Sequence, residues 1–178
     1  MNNTIKIYRV SIAMQWFCLA VLVLLPISLV WGWLNFEEYA PRLAAERGYL
    51  LDMDYIGPLQ LVLGLICSFI PVAILLYGVW RLRLLFGLYR RHIFFSVDNI
   101  RHLYIFSLTL FVSALSAPLV DAVLSVVLTF ANPPGQKALS LHFGSAEVST
   151  LFIAGALMTI SWIMREAHGL AKENAEFV

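Results

Sequence analysis

Charge is scarce in this sequence. Its 178 residues include 12 Lys and Arg and 11 Asp and Glu, so 13% are charged and 61% are hydrophobic, whereas soluble domains carry about 25% charged residues. That balance excludes an ordinary water-exposed globule, and a mean hydropathy of +0.82 places the chain among small membrane proteins. Cysteine is nearly missing too. Cys18 and Cys67 both fall inside apolar stretches, where a thiol behaves as a small hydrophobe, so a disulfide framework is excluded. The four histidines, His92, His102, His142 and His168, form no His-x-x-x-His pair. With the cysteines elsewhere, too few ligands converge for zinc, and neither metal nor cofactor is expected. A Gly-rich phosphate loop, a Ser, His and acid grouping and paired catalytic carboxylates are all lacking, which makes an enzyme the weakest functional class.

Long apolar runs are abundant. Crossing a ~30 Å hydrocarbon layer takes about 20 helical residues, and four stretches qualify, approximately 10–34, 56–80, 103–130 and 148–164. The expected fold is an all-α membrane protein: one domain over 1–178, built as a four-transmembrane-helix bundle. The first run is longer than the ~7–15 residues of a cleavable signal and reads as a retained anchor. The fourth is short, and Ser145, Ala146 and Glu147 complete it, with Ser145 as a candidate cap. Pro26, Pro71 and Pro118 lie within spans, where modest kinks are expected.

Orientation follows from the basic residues. Arg81, Arg83, Arg90, Arg91 and Arg101 fall between the second and third spans with a single acid, Asp98. Lys6, Arg9, Arg165 and Lys172 reach the same side after four crossings, while the other side has only Arg42, Arg47 and Lys137. By the positive-inside rule, the arginine loop and both termini are expected to be cytoplasmic. Within that loop, Ser96 reads as the N-cap of the third helix, with Asp98 in its first turn and Asn99 at its third position. Across the membrane, Asn132-Pro133-Pro134-Gly135 is a turn signal, and alternating apolar residues after it fit an extended segment or strand. Residues 165–178 read as a C-terminal amphipathic helical extension. Ala167, Leu170, Ala171, Asn174, Ala175 and Val178 share one face, suited to docking on the arginine loop or a partner.

Two segments carry a family resemblance. Phe95-Ser96-Val97-Asp98-Asn99-Ile100-Arg101-His102-Leu103 resembles the Phe-Ser-x-x-Asn-x-x-x-Leu pattern of a bacterial four-helix membrane family, domain of unknown function 2975. The end of the chain, from Arg165 to Val178, is similar to that family's Ala, Leu, Glu-Asn and terminal Val pattern. The chain departs from it in two places, with His92 and Phe106 where the family often has Gly. The resemblance implies a multi-pass protein of the bacterial cytoplasmic (inner) membrane. It brings no established chemistry, but similar members are often encoded beside small helix-turn-helix regulators, which implies such a regulator as a partner.

Asp121 is the only acid well inside a span. It is read either as an interhelical hydrogen bond beside the small residues Ala114, Ala117, Pro118 and Ser125, or as a proton or cation site. The arginines are topology determinants and contacts to anionic lipid in the bilayer, or a docking surface for an acidic cytoplasmic partner. They do not suit direct nucleic-acid contact, because no recognition helix accompanies them. The leading expectation is a non-enzymatic sensor, scaffold or sequestering partner of a cytoplasmic regulator. The alternative is a small transporter or channel component using Asp121, with a homo-oligomer left open.

Overall fold

The computed structural model describes all residues except 1, 47, 49, 50, 52, 134, 177 and 178, with backbone alone at 2, 3, 43 and 174–176. The elements are α1 (Asn2–Leu34), α2 (Phe36–Glu46), a 3-10 turn (Met53–Tyr55), α3 (Pro58–Arg90), α4 (Val97–Thr129) and α5 (Ser145–Glu176). Among the described residues α1, α3, α4 and α5 are long and apolar enough to cross a membrane, the pattern of a multi-pass membrane protein. Each exceeds its expected span. A 33-residue helix such as α3 is about 50 Å long at 1.5 Å per residue, so it runs well past a ~30 Å hydrocarbon layer.

Local chemistry sets the ends. Pro58 occupies the first turn of α3, where its missing N–H costs nothing, and the Gln60 side chain accepts from the Gly57 N–H. The other end of α3 closes as a Schellman motif. The Ile93 N–H donates to the Leu88 carbonyl at 3.1 Å and the His92 N–H to the Tyr89 carbonyl at 3.1 Å, with Arg91 as C-cap. His92 takes the left-handed residue of that motif, φ +62°. A tight turn therefore forms at a non-glycine residue, in the backbone region where a Cβ carries a steric cost. Four residues on, Ser96 caps α4 as expected, its hydroxyl accepting from the Asn99 N–H at 3.3 Å. At α5 the expected cap shifts by one. Ser145 is the first helical residue, and Glu147 reaches back to accept from the Gly144 N–H at 2.9 Å.

The long helices alternate in direction. Tyr8 of α1 stacks on His92 beyond the end of α3, at 6.4 Å between centroids, and Arg165 of α5 lies over Tyr104 of α4 at 5.4 Å. The start of α1 and the start of the α5 tail therefore lie at the arginine-loop end. Packing follows chain order, with α1 on α3, α3 on α4 and α4 on α5. Among the described residues no other pair of long helices makes more than marginal contact. The expected bundle is thus an open row, in which the first and last helices do not close on each other. Apolar surface gives little drive for helix association in lipid, so contact depends on local seams of small residues, and chain neighbours supply them.

The α3–α4 seam illustrates this. A Cβ at Gly78 would collide with the Thr109 hydroxyl, and the Ser113 hydroxyl donates to the Pro71 carbonyl at 2.9 Å. The most buried side chains are small or polar, among them Ser107, Ser125, Thr129 and Ser161, each at 0% exposure, while Phe152 is 77% exposed and Leu59 70%. Each of these hydroxyls donates to a carbonyl of its own helix, so its burial leaves no donor unpaired.

Beyond α4, the stretch read as a strand has no regular secondary structure and pairs with no strand among the described residues. Its backbone is held by α4 side chains instead. The Ala138 N–H donates to Thr129 Oγ1 at 3.0 Å and the Ser140 N–H to Ser125 Oγ at 2.9 Å.

Two outcomes test these readings. Replacing the paired hydroxyls, Ser125→Ala with Thr129→Val, strands two N–H groups and should lower stability by about 1–3 kcal/mol per group. Amide exchange should accelerate at Ala138 and Ser140 while α3 keeps its protection. At the α3 terminus, His92→Gly should unfold no earlier than the parent in a denaturant titration, because relief of the left-handed φ offsets the lost ring contact with Tyr8. His92→Val should cost about 1–2 kcal/mol in the same titration.

Candidate functional site

At the end opposite the arginine loop, α1 runs almost directly into α2. The Asn35 N–H and side-chain amide both donate to the Trp31 carbonyl, at 3.1 and 2.8 Å, which turns the chain. Glu37 and Glu38 stand in the first turn of α2, where the helix dipole favours acids. Ala40 and Ala44, one turn apart, are 4% and 1% exposed and form its inner face. Hydropathy alone reads this stretch as the connection between the first two spans. The acidic start and the Ala40/Ala44 spacing were readable signals, masked by Pro41 inside the helix.

Between α2 and the long helices lies a cavity of about 620 Å³, within the range of roughly 300–1,000 Å³ typical of small-molecule sites. From α1 come Trp31 and Trp33, and the Trp33 ring stacks on Phe36 at 4.9 Å with the planes 8° apart. Trp33 sits there because Gly64 of α3 has no side chain, since a Cβ would overlap the indole ring. Helix α2 contributes Tyr39, Arg42 and Glu46, and α3 contributes Ser68 and Pro71. Helix α4 presents Ala117, Asp121, Leu124 and Leu128, a stripe at i, i+4, i+7 and i+11. The walls are largely apolar, with a few charged groups from different elements.

Asp121 is therefore on the cavity wall, half-buried and engaged by an interaction within the protein. The small-residue face expected beside it divides in two. Ala114, Pro118 and Ser125 are buried against neighbours, while Ala117 joins Asp121 on the cavity side.

The five arginines at the other end do not form one cluster. Arg81 donates to the Tyr77 hydroxyl at 2.6 and 3.1 Å, and Arg83 lies over the Trp80 ring at 5.6 Å, so both fold back along α3. Arg90, Arg91 and Arg101 project outward and are exposed. Beneath them Asn99 is 1% exposed, its amide donating to the Ile93 carbonyl at 2.8 Å. The tail part of α5 is helical, but Ala167, Leu170 and Ala171 are exposed rather than docked on the arginine loop. The side chains of Asn174 and Ala175, and Val178, lie outside the described residues. Among the described residues no three His, Cys, Asp or Glu side chains converge into a metal-binding group.

Gly64→Leu should push Trp33 off the cavity wall, shift tryptophan emission and lower stability by about 1–3 kcal/mol through overpacking. Gly155→Ala is the control: its Cβ would meet nothing within 4 Å, so emission should stay at the parent value and stability should not fall, gaining up to about 1 kcal/mol from the lost helix glycine.

No curated protein and no solved structure matches the chain. The profile of one sequence family does, over residues 14–178, which takes in all the cavity-lining residues and the whole arginine loop. The chain belongs to that family, described as "Protein of unknown function (DUF2975)".

Proposed function

We propose that the protein is a non-enzymatic sensor of the bacterial inner membrane. In this reading the arginine loop and both termini face the cytoplasm, and the cavity opens toward the outer side. The cavity carries the proposal: it is a preformed concave site with aromatic walls and a few charged groups, and it lies at the end of the molecule away from most of the basic residues. Helices α3 and α4 each run unbroken from its walls to the arginine end, so both ends share two rigid elements. At the cytoplasmic end, Arg90, Arg91 and Arg101 together with the exposed start of the α5 tail offer a surface to an acidic segment of a regulator.

The transporter reading keeps one supporting observation, that Asp121 lines the cavity. Weighing against it, the described lining residues all belong to one end of the helices, and none comes from the arginine end.

The test is capture of a cytoplasmic protein on the full-length chain. Capture should fall at least tenfold with Arg90→Gln and Arg91→Gln combined with removal of 165–178, and should be unchanged in Asp121→Asn. Proton or cation flux in liposomes that is lost in Asp121→Asn and indifferent to the tail would establish the transporter reading instead.

A further inference from the structure

The geometry points to a ligand class for this cavity: an apolar molecule bearing one anionic and one cationic group. A short apolar peptide with free ends and a zwitterionic lipid share that chemistry. The inference deepens the sensor reading and rests on it for its biological purpose, although binding itself can be measured independently.

Arg42 and Glu46 carry the argument. Both line the cavity, both are exposed, and neither is held in an ion pair among the described residues. They stand four residues apart on α2, so their Cβ atoms are roughly 5–6 Å apart and both charges come within reach of one small molecule. Their order is the wrong one for stabilising the helix. An acid N-terminal to a base is the better arrangement, and Glu46 is the last residue of α2, where the helix dipole disfavours a carboxylate. A pair so placed contributes little to α2, yet it directs one charge of each sign at the same space.

The other walls fit the rest of such a ligand. Leu124, Leu128 and the stacked Trp33–Phe36 pair accept an apolar body, and aromatic faces attract an ammonium group. A ligand of single charge fits less well. An anion that met Arg42 would also face Glu46, and a cation that met Glu46 would face Arg42. Asp121 is already engaged within the protein, whereas Arg42 and Glu46 are exposed on the cavity wall.

The full chain in phosphatidylglycerol nanodiscs is titrated with leucyl-phenylalanine, its N-acetyl form, its C-terminal amide and the doubly blocked form, by calorimetry and tryptophan emission. The free dipeptide should bind, and each block should weaken it by about tenfold or more, the effect of losing one charge-assisted contact. Arg42→Gln should abolish the penalty for amidation alone and Glu46→Gln the penalty for acetylation alone. Both side chains are exposed, so unchanged melting curves separate these effects from misfolding. Phosphatidylethanolamine identifies the source: competition with the dipeptide assigns the site to a lipid head group, and no competition assigns it to a soluble zwitterion. Equal binding of the free and doubly blocked forms overturns the proposal. So does an absence of binding by every form together with no effect of phosphatidylethanolamine. If the dipeptide binds as expected but regulator capture never responds to it, the sensor reading fails while the ligand class stands.

Discussion

Close backbone approach between α3 and α4 is the contact on which the rest of the molecule depends. Gly78 leaves room for the Thr109 hydroxyl, and Ser113 spans the seam to the Pro71 carbonyl. With these two helices in register, α1 can lay Trp33 on Gly64 from one side and α5 can follow α4 on the other. Larger side chains along this line would hold the helices apart and leave the seam hydroxyls without tight neighbours. The row stays open because each seam is local, and among the described residues no such seam joins α1 to α5.

The same seam gives the molecule two unlike ends. At one end α1, α3 and α4 line a space that α2 partly covers, and the residues facing it mix rings, aliphatics and a few charges. At the other end the helices finish in a short turn, where aromatic rings hold two of the arginines and three reach outward. Tyr89, Phe94 and His92 sit ring to ring within that turn, and Tyr8 ties the start of α1 to it. A left-handed residue at His92 and a helix cap at Ser96, four positions apart, define that turn.

Several features were legible along the chain because their causes are local. Apolar runs long enough to span a bilayer predict themselves, and Ser96 with Asp98 in the turn that follows announces a cap. Asp121 stood out because an acid within an apolar helix is unusual. Residues whose role depends on a distant partner were hidden. Arg42 and Glu46 looked like ordinary loop charges, since only folding turns them toward Leu124 and Leu128. Ser125 and Thr129 looked like generic small residues, although their hydroxyls hold a segment up to fifteen positions away.

The sequence by itself determined the four long apolar helices, the cap at Ser96 and the family to which the chain belongs, because each follows from hydropathy, spacing or short motifs. Only the tertiary structure decided that the helices form an open row, that α2 covers a cavity, and that Asp121 faces it. The physical reason is range. Hydropathy and capping act within a few residues, whereas the row and the cavity are set by where small residues on separate helices let backbones meet, and no single segment encodes that.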